Sequence, residues 1–287
     1  MKLEAGQVAV ITGAANGIGE ALARELSGRG LRVVLADLED ERLAEVVDGL
    51  DGEAVAVPTD VADADQVQRL ADTALDRFGA VDLLFNNAGM GVGGPIWQVS
   101  AEQWQRVQAV NVGGVVNGIR SFVPAMVAAG RGHVVNTASV AGITAGAFNA
   151  PYIVSKHGVV ALSESLQAEL SIVAPGVGVT VVCPGPVDTR LLRGLLDAVE
   201  GLTPERLRGV PGAEWMAEFT PEQWERFRPG VEMLAAMKED VVSAARAAEM
   251  ILTAVESDRL YVTTHPGYAV AARDRVERMI TDLEASA

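Results

Sequence analysis

Tyr152 and Lys156 are the two side chains whose types and spacing most directly suggest chemistry in this sequence. They stand four positions apart, so on a helix the phenol and the ammonium lie on one face. A free phenol has a pKa of about 10 and is a poor base near neutral pH, but nearby positive charge favours its phenolate form. The pair is therefore a candidate for accepting and returning a proton. The same spacing also occurs between surface residues of ordinary helices, so the pair needs a site around it.

Near the start of the chain, three glycines (Gly13, Gly17 and Gly19) follow a short apolar run. Glycines allow a tight turn and a close approach of the backbone to a pyrophosphate, and the N-terminus of the following helix supplies amide donors. The pattern predicts a dinucleotide site, although a purely structural turn is the alternative. The residues expected to contact the cofactor in this turn are Gly13, Ala15, Asn16, Gly17, Ile18 and Gly19.

Asp37 ends the second apolar run, 18 residues after Gly19. A carboxylate at this place accepts hydrogen bonds from the ribose hydroxyls of the adenosine and repels a 2′-phosphate. Neither Arg nor Lys occurs in the next four residues, 38–41, so the sequence favours NAD over NADP, with Asp37 and Leu38 at the adenosine. The alternative role, an acidic cap of the next helix, belongs more naturally to Glu39 and Asp40.

Two further run ends are candidate cofactor contacts. Asp60 and Val61 follow the third apolar run, where a side chain can reach the adenine; an N-cap role for Asp60 is the competing interpretation. Asn87, Ala88 and Gly89 follow the fourth run, where small residues let the backbone pass close to a ligand.

Apolar runs rich in β-branched residues alternate with longer amphipathic stretches along the chain. Because most of these runs are continuously apolar, they are typical of strands buried on both faces of a parallel sheet. We therefore predict an α/β fold, a single doubly wound (Rossmann) domain over 1–287 with about seven strands and helices on both faces. The predicted strands are 7–12, 32–37, 54–57, 81–86, 132–137, 177–182 and 260–264.

Composition narrows the classes of function. The 287 residues are 49% hydrophobic, enough for a full core, and the net charge of −15 comes without a basic cluster, so nucleic acid is not an expected partner. The single Cys183 excludes an internal disulfide, and the three histidines share no metal-ligand spacing, so no metal is expected. No apolar run approaches the ~20 residues of a membrane span, and a strand begins almost at once, which favours a cytoplasmic protein without membrane contact.

The segment 188–238 interrupts the alternation of strands and helices. It contains four aromatic residues and four prolines, and we expect short helices in it, beginning at Thr203-Pro204 and Thr220-Pro221. Its place after the end of a strand favours a lid over the substrate; plain packing onto the body is the alternative. Residues 267–287 are interpreted as a C-terminal tail.

Taken together, these motifs resemble the short-chain dehydrogenase/reductase family. The resemblance covers about residues 6–190 and resumes near 240–265. It rests on the turn from Thr12 to Gly19, the segment Asn86–Gly89, Asn111, Ser139, the pair Tyr152 and Lys156, and the segment with Pro184, Gly185 and Thr189. The long segment after Thr189 and the tail depart from the family pattern.

The resemblance implies catalytic roles for Asn111, Ser139, Tyr152 and Lys156. Tyr152 would exchange the proton, Ser139 would bind the substrate oxygen, and Asn111 would hold a water next to Lys156. Lys156 and Tyr152 would also contact the cofactor. Further contacts at its nicotinamide end would come from Pro184, Gly185, Val187 and Thr189.

We expect an NAD-dependent oxidoreductase that interconverts a bulky, uncharged secondary alcohol and its ketone, because the candidate pocket walls (90–95, 141–143, 148–149 and 191–237) are largely apolar and the first three contain no Arg or Lys. The alternatives are an NADPH-dependent ketone or oxoacyl reductase, which Asp37 opposes, and a non-catalytic dinucleotide-binding scaffold. The family resemblance also implies a homo-oligomer, a tetramer or a dimer.

Overall fold

A computed structural model describes residues 1–199 and 214–286 of the chain. Within them, seven parallel strands form one sheet in the order β3-β2-β1-β4-β5-β6-β7. The strands are β1 (Val8–Thr12), β2 (Arg32–Asp37), β3 (Ala54–Pro58), β4 (Leu83–Asn86), β5 (Gly132–Thr137), β6 (Val177–Val182) and β7 (Tyr261–Val262). The predicted doubly wound sheet is therefore confirmed. The runs predicted at 81–86 and 260–264 are shorter as strands, because their outer residues make no ladder.

Helices cover both faces of this sheet. They are α1 (Gly17–Gly28), α2 (Asp40–Asp48), α3 (Ala64–Phe78), α4 (Ala101–Gln108), α5 (Gly114–Ala129), α6 (Ala150–Val173), α7 (Arg190–Val199), α8 (Glu214–Ala217), α9 (Pro221–Ala236), α10 (Ala244–Glu256) and α11 (Tyr268–Glu284). A π-helical turn (Ala109–Gly113) joins α4 to α5. Alternate residues of β1 explain the two layers: Ala9 and Ile11 join the core on one face, and Val8 and Val10 join the core on the other.

The strand order sets the position of the site. From β1 the chain runs outward through β2 and β3, and then returns to place β4 on the other side of β1. In such sheets ligands bind beyond the carboxyl ends of the strands, where the order reverses. Asp37 is the last residue of β2, and Asn87 and Ser139 follow the carboxyl ends of β4 and β5, so the topology brings these three candidates to one edge.

The segment after Thr189 is helical where it is described. α9 begins at Pro221, as predicted, and Thr220 and Gln223 cap it reciprocally through side chain and backbone. The predicted start at Thr203-Pro204 lies outside the described residues. Residues 268–284, interpreted from the sequence as part of a tail, form the helix α11.

One helical stretch of the described residues, Ala101–Ala129, is long and apolar enough to cross a membrane by length and composition alone. Its inner side belongs to the protein core, where Val107, Phe122 and Met126 are buried. Core helices that cover a sheet commonly meet this criterion, so the stretch is weak support for a membrane span.

His133 is expected to make the stability of the fold depend on pH. It is buried in β5 with Nε2 2.8 Å from the Thr180 hydroxyl, and burial lowers its pKa from 6.5 to about 4, an effect to which the N-terminal amine adds. The folded protein therefore binds this proton less readily than the unfolded chain does. We expect the free energy of unfolding to fall by about 3 kcal/mol as the pH drops from 6.5 to 4.

Urea unfolding at several pH values measures this loss. The control is His133→Gln, which keeps a hydrogen-bonding group near Thr180 but cannot be protonated. The two proteins share every other titrating group, so the variant should lose about 3 kcal/mol less than the parent over this interval. Equal losses of unfolding free energy in the two proteins would show that protonation of His133 does not cause the loss of stability in acid.

Candidate active site

The turn between β1 and α1 is shaped so that two of its glycines cannot carry a side chain. Gly13 has φ +65°, and a Cβ there would stand 2.8 Å from the Cα of Ala88. A Cβ on Gly19 would stand 2.1 Å from the carbonyl oxygen of Gly13. Asn16, the N-cap of α1, makes no capping bond with its side chain. The helix therefore presents uncapped amides above a bare backbone, a geometry that suits a pyrophosphate.

A hydrogen-bond network ties the end of β4 to this turn. The Thr12 hydroxyl accepts from the backbone amides of Asn87, at 3.0 Å, and Ala88, at 3.1 Å. The Asn87 side chain donates back to the carbonyls of Thr12 and Gly13. Gly89 follows, and its Cα faces the Lys156 Nζ, which lies 3.3 Å from the position of a Cβ. The network fixes the positions of the two loops that border the crevice between β1 and β4, and Gly89 places the end of this border beside Lys156.

Asp37 connects β2 to the glycine turn. Its Oδ2 accepts from the Ala15 amide at 2.9 Å, and its Oδ1 accepts from the Leu38 amide at 2.7 Å. Glu39, expected to take the capping role, makes no capping bond with its side chain and pairs with Arg190 instead. Asp37 thus orders this loop while standing where an adenosine ribose is expected, and the exposed Leu38 follows it at the rim.

Asp60 lies at the same edge, in a different setting. Its carboxylate accepts from the Ala62 amide at 2.9 Å and from the Arg106 guanidinium at 3.0 Å. The competing N-cap role belongs to Asp63, which accepts from two amides of α3. Val61 is buried, and a Cβ on Gly114 would stand 2.8 Å from its Cγ2. An adenine contact from Asp60 remains a proposal.

Asn111 lies in the π-helical turn between α4 and α5 and is 1% exposed. Its side chain accepts from the Met90 amide and donates to the Met90 carbonyl, both at 2.9 Å. It also donates to the Ser155 hydroxyl at 2.9 Å, and Ser155 donates to the Tyr152 carbonyl at 2.7 Å. Asn111 therefore fixes the loop after β4 against the first turn of α6.

Lys156 is 3% exposed and carries its ammonium into the protein. Nζ donates to the Thr137 carbonyl at 2.8 Å and lies 5.6 Å from the centre of the Tyr152 ring. Burial lowers the pKa of Lys156 to about 8. The cation is thus held beside the tyrosine in a place where few groups solvate it, which strengthens its action on neighbouring charge.

The phenol of Tyr152 is enclosed next to Ser139. Burial raises its pKa, and a hydrogen bond with the Ser139 side chain opposes that rise. The Ser139 hydroxyl also accepts from the Ala141 amide at 3.1 Å. The expectation that Lys156 and an oxidised nicotinamide together lower this pKa stays a prediction, since in the chain alone the largest effect on the pKa of Tyr152 is desolvation of its phenolate.

The segment from Pro184 to Thr189 closes the other side of the crevice. The Pro184 carbonyl accepts from Val140, and the Gly185 amide donates to the Thr264 hydroxyl, both at 3.0 Å. Val187 is buried and pairs through its backbone with Val242. Thr189 stands over the glycine turn, since a Cβ on Gly17 would lie 2.9 Å from its Cγ2. The segment therefore reaches from the Ser139 loop to the start of α1.

Five aromatic rings form a cluster above the loop that precedes Tyr152. Phe148 stacks on Trp215 with ring centres 4.7 Å apart, and every other ring lies within 6.1 Å of a neighbour. Phe148 has φ +61°, a strained conformation for a side-chain-bearing residue, and its carbonyl accepts from Gly94 at 2.8 Å. The aromatic cluster consists of Phe148, Trp215, Phe219, Trp224 and Phe227.

Gly91 keeps space open beside the tyrosine. A Cβ at this position would lie 3.6 Å from Cδ2 of Tyr152 and 3.8 Å from Cδ1 of Leu191. On this side of the tyrosine ring, the apolar side chain of Leu191 from α7 is therefore the neighbour.

All the sequence-derived candidates lie along one edge of the sheet, and the structure adds residues that the sequence did not single out. Thr12, Thr137 and Ser155 hold Asn87, Lys156 and Asn111, respectively. The described residues contain no cluster of three metal-ligating side chains.

Comparison with known proteins gives a consistent result. Residues 7–199 match the family described as short chain dehydrogenase. The chain is 36% identical over 263 residues to the 1-deoxy-11-beta-hydroxypentalenate dehydrogenase of Streptomyces avermitilis, covering 90% of this chain and 84% of the relative. The protein of that name from Streptomyces exfoliatus is 39% identical over 219 residues, covering 74% and 79%.

Solved structures agree with the fold. A short chain dehydrogenase/reductase of Burkholderia phymatum, in complex with NAD, superposes with a TM-score of 0.82 at 38% identity, covering 98% of this chain and 97% of that one. The apo form of LigD from Sphingobium sp. strain SYK-6 has a TM-score of 0.73 at 26% identity, covering 96% and 97%.

Proposed function

Because this chain belongs to the short-chain dehydrogenase/reductase family, we propose that it is an NAD-dependent enzyme interconverting a bulky, uncharged secondary alcohol and its ketone. That it is an oxidoreductase using a nicotinamide dinucleotide follows from the family. The observation that carries the proposed chemistry is the burial of the Tyr152 phenol beside the Ser139 hydroxyl, with the Lys156 Nζ 5.6 Å from the centre of its ring.

In the proposed mechanism, Tyr152 removes the hydroxyl proton of the alcohol and returns it when the ketone is reduced. Ser139 hydrogen-bonds the same oxygen and holds the reacting carbon near the crevice. Lys156 stabilises the phenolate and hydrogen-bonds the cofactor ribose, while Asn111 keeps the loop at Met90 and α6 in register and holds a water next to Lys156. The glycine turn and Asp37 would hold the nicotinamide dinucleotide, which would supply the acceptor for the hydride of the alcohol carbon and a positive charge that favours the phenolate of Tyr152.

The substrate class is proposed from the walls of the site. Gly91 leaves room beside the phenol, Leu191 lies opposite, and the aromatic cluster covers the loop before α6. Large apolar surfaces with few charges favour a bulky, uncharged ring system over a phosphorylated or carrier-bound substrate. The name of the Streptomyces relatives denotes a dehydrogenase of a hydroxylated carboxylate. A test of the substrate class must therefore compare charged with uncharged alcohols.

A panel of secondary alcohols tests this proposal directly. NADH formation is followed by absorbance with small alcohols, with bulky cyclic alcohols, and with cyclic hydroxy acids of matched size. We expect the highest kcat/KM for the uncharged cyclic alcohols. Preference for the hydroxy acids would contradict the uncharged class, and absence of turnover with every member would favour a dinucleotide-binding scaffold.

The NAD preference is proposed from Asp37, in agreement with the NAD held by the Burkholderia structure. Asp37→Asn removes the negative charge that would repel a 2′-phosphate. We expect the ratio of kcat/KM for NAD to that for NADP to fall roughly 10- to 100-fold, equivalent to about 1.4 to 2.8 kcal/mol.

The control for this change is Glu41→Gln. It removes an exposed carboxylate from the first turn of α2, shortly after Asp37, and leaves the glycine turn unchanged. Glu41→Gln should leave the ratio unchanged. An unchanged ratio in Asp37→Asn as well would exclude Asp37 as the selector and reopen the NADPH-dependent alternative.

We assign residues 188–238 as the cover of the substrate site on the evidence of their described parts, 188–199 and 214–238. There α7 supplies Leu191, α8 and α9 supply three rings of the aromatic cluster, and Phe219 between them supplies a fourth. The family resemblance further supports a cytoplasmic homo-oligomer, a tetramer or a dimer, acting on a small molecule.

A further inference from the structure

α11 is a helix of 17 residues in which none is buried by the described remainder of the chain. Its side chains include Val276, 47% exposed, and Leu283, 69% exposed. A solitary helix of this length is marginally stable in water, because most helical stability in proteins comes from packing an apolar face. α11 therefore has a surface that a further partner would stabilise.

Six apolar residues of α11 lie on one stripe, and the exposed Val270 lies off it. Along the chain they follow one another at alternating intervals of three and four residues, with one extra member. This is the spacing of a helix that packs lengthwise against another helix. The stripe consists of Ala269, Ala272, Val276, Met279, Ile280 and Leu283.

The charges beside the stripe indicate what that other helix is. On one flank Arg275 precedes Asp282, and on the other Arg273 precedes Glu284. If a second α11 lies antiparallel, with Val276 against Met279 of the second copy, each arginine meets an acidic residue of that copy. A parallel arrangement brings none of these opposite charges together.

The overall charge argues against an anionic membrane as the occupant. α11 carries four acidic residues and three arginines, and the whole chain has a net charge of −15. Helices that lie on membranes have a basic polar face attracted to anionic lipids. We propose that α11 is a self-association surface that pairs antiparallel with α11 of a second copy of this chain. This inference does not rest on the proposed chemistry.

The first test measures the mass of the full-length, NAD-loaded protein by light scattering and sedimentation. Val276→Asp places a charge in the centre of the stripe and should halve the mass of the assembly. Thr281→Asp, on the opposite face of the same helix, is the matched control and should leave it unchanged. An unchanged mass in Val276→Asp, or an equal loss in both variants, would overturn the pairing.

A crosslinking test fixes the direction and does not depend on weakening the helix. In the antiparallel pair, Ala272 of one copy faces Leu283 of the other, so Ala272→Cys combined with Leu283→Cys should form an intermolecular disulfide on oxidation. Ala272→Cys alone should not, because the two copies of residue 272 stand roughly 17 Å apart along the helix. Cys183 is buried and provides the background.

Crosslinking by Ala272→Cys alone, or none by the double variant, would refute the antiparallel pair. Sedimentation of the parent protein with vesicles of anionic phospholipid should show no binding, and binding that Val276→Asp abolishes would assign the stripe to a membrane instead. Alcohol oxidation, assayed in each variant, reports separately on the proposed function.

Discussion

Tyr152→Phe is expected to lower kcat for alcohol oxidation by roughly 10³-fold, the scale on which a positioned acid-base group contributes to catalysis. The substitution removes the oxygen that accepts the proton and leaves the ring that packs beside Gly91. Because the glycine turn, Asp37 and the Lys156 ammonium stay in place, NADH affinity should change by no more than about twofold, an effect under 0.5 kcal/mol.

The measurement combines turnover with a fluorescence titration of NADH. Tyr261→Phe is the matched control, since that hydroxyl bonds Glu164 away from the crevice and its loss should leave kcat unchanged. If Tyr152→Phe retained turnover and lost NADH binding, Tyr152 would be a cofactor-binding residue and the proton would go elsewhere.

The position of Tyr152 could be predicted because the topology of a parallel sheet determines which loops lie together. Continuously apolar runs predict buried parallel strands, and parallel strands end at one edge. Residues that follow such runs, such as Asp37, Asn87 and Ser139, are therefore brought together by the fold whatever their distance along the chain. The helix that carries Tyr152 and Lys156 is the next α-helix along the chain after β5 and Ser139.

The groups that hold the candidates in place could not be predicted in the same way. Lys156 donates to the Thr137 carbonyl, and every residue has a carbonyl, so no side-chain type marks this partner. Asn111 reaches Ser155 because α4 passes into α5 through a π-helical turn, for which the sequence contains no recognised signal. The pKa of Tyr152 depends on burial, which spacing along a helix does not report.

Two other differences have local causes. Glu39 looks like a helix cap by position, but Arg190, 151 residues later, draws its carboxylate away. The stripe of α11 is present in the sequence at regular spacing. The interpretation of 267–287 as a tail rests on its departure from the family pattern, although the spacing of its apolar residues indicates a helix.

Lys156→Met is expected to separate function from stability, since it should reduce the first and increase the second. The variant keeps the length of the side chain and removes the cation beside the phenol. Without that charge the phenolate loses its stabilising neighbour, so we expect kcat to fall roughly 10²-fold or more, with the remaining activity displaced to higher pH.

The stability of the same variant should rise at neutral pH. Burial lowers the pKa of Lys156 from 10.5 to about 8, so the folded state binds this proton less readily than the unfolded chain, and the charged form destabilises the fold below pH 8. Removing the ammonium should raise the free energy of unfolding by at most about 3 kcal/mol. The gain is smaller in so far as the Thr137 carbonyl loses its hydrogen-bond donor. As the pH rises from 8 towards 10.5, the free energy that the parent spends on losing this proton during folding falls towards zero, so the advantage of the variant should vanish.

Paired measurements of turnover and urea unfolding at pH 7 and pH 10 decide the matter. A lysine with a purely structural role would lose stability on replacement, and its activity would fall only as far as unfolding explains. If Lys156 instead serves catalysis at the expense of stability, Lys156→Met should lower kcat and raise the free energy of unfolding at pH 7. Loss of both activity and stability at that pH would therefore refute the role assigned to Lys156, even if Tyr152→Phe behaves as expected.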